Sequence, residues 1–290
     1  MAITASAVKE LREQTGAGMM ACKNALKETN GNIEEAVDYL RTKGLAAAQK
    51  KQSRIAAEGA VATVANGNHG ILVEVNCETD FVSKGDEFQN FAKSIGEWAL
   101  SNKPSDINEL KDAKSTEVNE LTLKCGEKVD IRRFTSVEAD GVLGSYNHGG
   151  KIGVLINLKS SDTGEKVQEL AKDIAMHVAA SSPSFLNADD IDEDFKTREA
   201  AIYKAQLLEE GKPEAMIEKI IIGKLNKLAK QVCLLEQPFV KDPDMTIKKL
   251  IASVGSDIEV VAFHKLNLGE GIEKKEDNLA DEVAKMTGKK

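Results

Sequence analysis

Eleven residues from Gly85 to Ile95 (Gly-Asp-Glu-Phe-Gln-Asn-Phe-Ala-Lys-Ser-Ile) return 79 positions later, from Gly164 to Ile174, as Gly-Glu-Lys-Val-Gln-Glu-Leu-Ala-Lys-Asp-Ile. Upstream, Ala57-Glu58-Gly59 matches Ala139-Asp140-Gly141 at an offset of 82, and Gly70-Ile71-Leu72-Val73 matches Gly153-Val154-Leu155-Ile156 at 83. Self-similarity of this kind means that one supersecondary unit is used twice. The first copy reads as strands Gly59–Ala65 and Ile71–Asn76 around the turn signal Asn66-Gly67. A helix follows from about Asp86 to Ser101, with Phe88, Phe91, Ile95 and Trp98 on one stripe. The second copy reads as strands Gly141–Asn147 and Ile152–Leu158 around Gly149-Gly150, then a helix from Glu165 to Ala180. Between the copies, Leu110 to Leu123 reads as helical and Val129–Val137 as a strand. The offset drops from 83 to 79 between strand and helix, so the first copy carries four extra residues within Cys77–Lys84. Burying a helix on a small sheet accounts for what the copies share. It does not account for the insertion, which makes that loop the place to look for function.

The flanks keep a helical period. Thr4 can cap a helix to about Gln14, with Val8 and Leu11 on one face and Gly16 closing it. A second helix, about Gly18 to Glu28, places Met19, Cys22 and Leu26 at helical spacing. Asn32 with Glu35 forms a capping-box pattern for a third, whose stripe is Ile33, Ala36, Val37 and Leu40 and which Gly44 is expected to stop. Leu45 to Ile55 reads as a helical, solvated linker. Beyond the repeat, Phe195, Ile202, Ala205 and Leu208 lead to a break at Gly211-Lys212-Pro213. Met216, Ile217, Ile220, Ile221, Leu225 and Leu228 then continue on a second helix, which makes an antiparallel hairpin. Its wide apolar arc needs a partner, and docking on the body or on a second copy of the chain would serve equally. Strand character returns at Asp257–Leu268, and Leu279 to Met286 reads as a last amphipathic helix. The expected class is α+β. The expected divisions are 1-54, a three-helix domain with its linker; 55-139, a first core subdomain; 140-182 with 233-268, a second; 183-232, an inserted helical hairpin (coiled coil); and 269-290, a short helical C-terminal module.

Composition narrows the function classes. With 39 basic and 47 acidic residues the net charge is −8, which argues against a nucleic-acid binder that needs a broad basic face. Through Arg54 the balance is instead nine basic to six acidic. Aromatics are 4% of the 290 residues, so the cores are expected to be Ala, Leu, Ile and Val. No apolar run reaches the length of a membrane span and the Met1–Lys9 start lacks a signal-peptide core, so a soluble, cytoplasmic protein is expected. Cys22, Cys77, Cys125 and Cys233 show neither zinc-site nor disulfide-framework spacing and read as reduced thiols.

Motifs for chemistry fail on inspection. Gly16-Ala17-Gly18-Met19-Met20-Ala21 has dinucleotide-fingerprint letters, but a helix precedes it and no βαβ unit surrounds it. Met19 and Met20 are neighbours pointing about 100° apart, so both cannot be core; they suit a soft contact surface. Ser145 through Ile152 lacks both the first glycine and the Ser/Thr of a phosphate loop. His69, His148, His177 and His264 are available to a cysteine or serine, yet no nucleophile signature accompanies them. Asp189-Asp190-Ile191-Asp192-Glu193-Asp194 reads as a solvated helix start. No catalytic residue, metal site or cofactor is expected. What remains is Thr79-Asp80-Phe81-Val82 in the extra loop, an aromatic beside an acid as in interface hot spots. Phe81 either projects as a probe or packs back near Phe88 or Phe91.

These residues resemble the bacterial translation elongation factor Ts family. The likeness rests on Val8-Lys9-Glu10-Leu11-Arg12 with Thr15 to Met20 and Cys22-Lys23, and on Glu74-Val75-Asn76-Cys77-Glu78-Thr79-Asp80-Phe81-Val82. Ile131-Arg132-Arg133, Gly144-Ser145-Tyr146 with His148, Ala175 to Ala180, Gln237-Pro238-Phe239-Val240 and Gly269 to Lys274 extend it over essentially the whole chain. The resemblance implies a ubiquitin-associated (UBA)-like N-terminal domain, two related core subdomains, and guanine nucleotide exchange on elongation factor Tu. It further implies that Thr79, Asp80, Phe81 and Val82 engage that GTPase near its magnesium, that Arg12, Met19, Met20 and Lys23 grip the same domain elsewhere, and that His148 touches a distal one. No nucleotide, nucleic acid or membrane partner is expected, and a homodimer through the hairpin is open. Glu78 departs from the glutamine frequent in the family and is expected to add negative charge at the contact. Other classes are a generic protein-binding scaffold, distinguished by what it captures, and a thiol hydrolase using Cys77, distinguished by alkylation.

Overall fold

The structure, a computed structural model, describes residues 3–273, and of 45–50 the backbone alone. The Thr4 hydroxyl accepts the Ala7 amide at 3.2 Å and starts α1 (Ala5–Thr15). Gly16 ends it at φ 66, a left-handed conformation that favours glycine, and its amide donates to the Arg12 carbonyl at 2.8 Å. After α2 (Met19–Glu28), Asn32 Oδ1 accepts the Glu35 amide at 3.2 Å while its Nδ2 donates to Glu35 Oε1 at 2.8 Å, opening α3 (Ile33–Lys51). Leu11, Ala17, Cys22, Ala25, Leu26, Ala36 and Leu40 form the core of the trio. Met19 lies outside the core, as its place in a contact surface required, the inner face of α2 being Cys22, Ala25 and Leu26. One expectation fails here. Gly44 does not stop α3, which runs on to Lys51 and carries the glycine's roughly 1 kcal/mol helix penalty; a Cβ there would meet Leu123 at 3.5 Å, an ordinary contact.

The next segment runs β1 (Glu58–Asn66), β2 (His69–Cys77), α4 (Asp80–Ser83), α5 (Asp86–Asn102), α6 (Ile107–Ala113), α7 (Ser115–Cys125) and β3 (Asp130–Glu138), with strand order β1-β2-β3. The β1–β2 turn is Gly67-Asn68, one residue later than Asn66-Gly67, with Gly67 at φ 60. The helix expected over Leu110–Leu123 is two helices, interrupted at Lys114, whose side chain lies over the Trp98 ring and pairs with Glu117 at 2.8 Å. α5 buries Phe88, Ala92, Ile95 and Ala99, so its inner stripe is rotated from the expected one toward small residues, with Phe91 and Trp98 half-buried.

Then follow β4 (Val142–His148), β5 (Ile152–Lys159), α8 (Glu165–Ser181), α9 (Glu193–Glu209), α10 (Glu214–Val232), β6 (Pro238–Phe239), β7 (Asp242–Thr246), α11 (Ile247–Val254) and β8 (Glu259–Asn267). The second sheet has the order β4-β5-β8, with β4 and β5 antiparallel from Val142↔Leu158 to His148↔Ile152. α8 packs on this hairpin through Val167, Leu170, Ala171, Ile174 and Val178. It comes so close that a Cβ at Gly144 would stand 2.6 Å from the Ala171 carbonyl carbon. α9 and α10 pack on each other, with Leu207 and Ile217 buried; Leu208, expected on the inner stripe, is exposed. Asp192 caps α9, accepting the Phe195 amide at 2.6 Å, as the acidic run suggested. Residues 279–286 lie outside the described residues.

Two compact units divide the chain: Met1–Ala62, Val73–Phe134 and Asn267–Lys290 make one, Thr63–Leu72 and Thr135–Leu266 the other. α5 and α8 are each 17 residues long, each is capped by glycine (Gly85, Gly164), and each ends on a left-handed residue, Lys103 or Ser182, at φ 48. The four extra residues of the first copy correspond to α4; the connection before Gly164 has no helical turn. Among the described residues, no helix is long and apolar enough to cross a membrane.

Candidate partner-binding site

β2 ends at Cys77, and the chain turns at once into α4. Thr79 caps that single turn, its hydroxyl accepting the Val82 amide at 3.4 Å. The base of the turn is held from below. Glu127 accepts the amides of Glu78 and Thr79 at 3.1 and 2.9 Å and the Thr79 hydroxyl at 2.6 Å. Its far end is held by buried Ser83, whose hydroxyl donates to the Asp80 carbonyl at 3.2 Å and whose carbonyl accepts from Gln89 Nε2 at 2.5 Å.

With both ends pinned, the tip faces water. Phe81 is 88% exposed, while Phe88 is buried, so Phe81 does not fold back on its own helix. Asp80 pairs with Lys84 at 2.6 Å, and the Lys84 hydrogen bond holds its carboxyl below the ordinary value. Val82 is half-buried beside them. The site therefore presents one bare aromatic with an ion pair on the preceding residue.

Cys77 offers no nucleophile. Its thiol is fully buried, donates to the Thr79 carbonyl at 3.2 Å, and is pushed up to about 12, first by burial and then by the nearby Glu127 charge. Glu78, the next residue, is engaged within the chain. Its carboxylate accepts the Lys128 amide at 2.6 Å and pairs with Arg54 at 3.2 Å, so its charge is used within the chain.

Arg12, Met19, Met20 and Lys23 are all exposed around the α1–α2 corner, the two methionines at 60% and 65%. Ala17, 1% exposed, plugs the corner from inside, which leaves both methionines outward. These residues and the α4 turn belong to one compact unit; His148 belongs to the other. His148 is exposed at the end of β4, its Nδ1 3.0 Å from the Tyr146 hydroxyl, beside Gly149 and Gly150 at φ 57 and 69.

A family model described as Elongation factor TS matches residues 78–270. Over nearly its whole length the chain is similar to proteins named Elongation factor Ts. That of Clostridioides difficile (strain 630) is 48% identical over 298 residues, covering 98% of each chain. That of Trichlorobacter lovleyi is 49% identical over 311 residues, covering 100% of each, and that of Magnetococcus marinus 46% over 300 residues, covering 99% of each. The chain belongs to the elongation factor Ts family.

Several residues that carry the elongation factor Ts resemblance are internal wiring. Buried Glu74 accepts from Arg132 at 3.1 Å, Arg133 at 2.6 Å and the Gly269 amide at 2.8 Å. His177 and Gln237, both buried, meet at 2.8 Å. Sequence reading missed both pairings and the Glu127 clamp. Gly126 at the end of α7 was the one local signal near Glu127, and it marks a helix stop and nothing about a distant acceptor.

Proposed function

We propose that this chain is a guanine nucleotide exchange factor that binds elongation factor Tu during translation elongation and makes or breaks no covalent bond itself. The names of its relatives support the general reading. The observation that carries the finer one is Phe81, 88% exposed on a turn fastened at Thr79 and Ser83. An aromatic left bare on a rigid support is prepared for burial in a partner.

An exchange factor must bind the nucleotide-free partner more tightly than the nucleotide-bound one; otherwise it shifts nothing. Release accelerated about 10³–10⁵-fold requires about 4–7 kcal/mol, at about 1.4 kcal/mol per tenfold. Burying one Phe side chain contributes about 1.5–3 kcal/mol. Phe81 is therefore assigned the wedge at the magnesium and phosphate pocket, and Asp80 the rearrangement of polar contacts beside it. The remainder comes from the UBA-like first domain through Arg12, Met19, Met20 and Lys23, and from His148 on the second related subdomain. Coupling is reciprocal, so GDP or GTP with magnesium expels this chain as effectively as it expels them.

The test is release of a fluorescent GDP analogue from purified elongation factor Tu with and without this chain. Acceleration by orders of magnitude supports the reading, and an unchanged rate overturns it.

The hairpin supports a second contact. Met216 and Ile222 on α10 are 56% and 61% exposed and point about 120° apart, and apolar exposure on two sides of the helix favours pairing of the hairpin with a second copy. Sedimentation velocity on the parent and on M216E/I222E reads it; equal monomer masses for both overturn the pairing.

A further inference from the structure

Phe81 can act as a wedge only if its turn holds still, and the side chain that fixes the turn lies 48 residues downstream of Thr79. An ionised carboxylate accepts hydrogen bonds and donates none. The Thr79 hydroxyl must therefore give its hydrogen to Glu127 Oε1, at 2.6 Å, which leaves its lone pairs free for the Val82 amide. Glu127 Oε2 meanwhile takes the two amides that enter the turn, those of Glu78 and Thr79. One carboxylate thus fixes both the backbone entering α4 and the direction of the hydroxyl that caps it.

The same loop also receives the end of the linker from the three-helix trio. Lys51 Nζ donates to the Gly126 carbonyl at 2.5 Å, and Lys128 Nζ donates to the carbonyls of Gln52 at 2.8 Å and Arg54 at 3.2 Å. Arg54 in turn pairs with Glu78, the residue whose amide Glu127 accepts. Linker and finger are fastened to one three-residue loop, Gly126-Glu127-Lys128.

We propose that Glu127 is a positioning residue for nucleotide exchange: it sets the Thr79 cap and thereby aims Phe81, while Gly126 and Lys128 hold the linker at the same point. This rests on the wedge reading of Phe81. The measurement is the maximal rate of GDP-analogue release at saturating chain for F81A, E127A, E127Q and F81A/E127A, with thermal melting of each. E127A lowers the maximal rate about tenfold or more, as expected for losing hydrogen bonds to a charged acceptor. E127Q keeps an acceptor for the amides and restores the rate to within about threefold. The double variant is no slower than F81A, because Glu127 acts through Phe81.

A parental rate for E127A beside a slow F81A overturns the positioning role and leaves the wedge standing. Additive losses in the double variant, or E127Q as slow as E127A, overturn it as well. A parental rate for F81A overturns the wedge itself. Should E127A fail to fold, T79V and T79S replace it: a slow T79V restored by T79S supports the role, and equal rates overturn it.

Discussion

Glu74, whose carboxylate is wholly out of solvent, receives Arg133 Nε at 2.6 Å. Arg132 at 3.1 Å, Asn76 at 3.1 Å and the Gly269 amide at 2.8 Å complete its shell. Burial alone would raise its pKa. The Gly269 amide and then the Arg133, Asn76 and Arg132 donors outweigh that, and the group lies below the usual 4.5. Removing one member of a buried pair is strongly destabilising. Glu74→Ala is expected to cost about 3 kcal/mol, the lower end for such pairs because both arginines still reach water. The check is the shift in urea midpoint. A depressed carboxylate contributes stability that is complete above pH 4.5 and lost as pH falls through its folded value, so the variant's stability changes less with pH in that range.

His177 gives a second pH dependence, at higher pH. Burial holds its pKa below 6.5, the Gln237 hydrogen bond opposing only in part. The neutral ring accepts the Val240 amide on Nδ1 at 3.3 Å and so donates from Nε2 to Gln237 Oε1 at 2.8 Å. Folding depresses the proton affinity, so the unfolded chain binds the proton first. Stability from this site is whole above pH 6.5 and declines as pH drops toward the folded value. His177→Gln is expected to reduce the slope of stability against pH by up to about 1.4 kcal/mol per unit just below that point. Half-buried His264, lowered in the same direction by desolvation, keeps the remaining slope. Denaturation at a series of pH values reads the difference, and identical slopes would contradict it.

Met19 and Met20 separate binding from folding. Both are exposed, so truncation leaves no cavity. M19A/M20A is expected to melt with the parent and to bind nucleotide-free elongation factor Tu about tenfold or more weakly, from lost apolar burial. Isothermal titration supplies the affinity and calorimetric melting the control.

What could be read from residue order was whatever local periodicity and turn chemistry encode. Thr4, Gly16, Asn32 with Glu35, and Asp192 act at helix ends as their types and spacing suggested. The change in offset located α4 because an insertion in one copy is visible without any contact information. Gly44 misled because a glycine inside a helix and one just beyond its end look alike in residue order. β6 and β7 were missed since two- and five-residue strands around Asp242-Pro243-Asp244 carry no alternation. α11 was legible and overlooked, with Thr246 capping it at Lys249 and apolar residues at Ile247, Leu250, Ile251 and Val254. Glu127 and Glu78 were beyond reach, because their meaning lies in partners about fifty residues away in the chain. Phe81 stood undecided between core and surface for the same reason, and only its exposure separates the two.

The proposed wedge is an exposed Phe81, held out on α4, that opens the nucleotide pocket of elongation factor Tu. Stopped-flow release of a fluorescent GDP analogue, with parent and F81A each at saturating concentration, tests it most directly. F81A is expected to melt with the parent, since the side chain is 88% exposed, and to slow release by about tenfold to a hundredfold, as losing about 1.5–3 kcal/mol requires. A folded F81A that releases nucleotide at the parental rate would contradict the account.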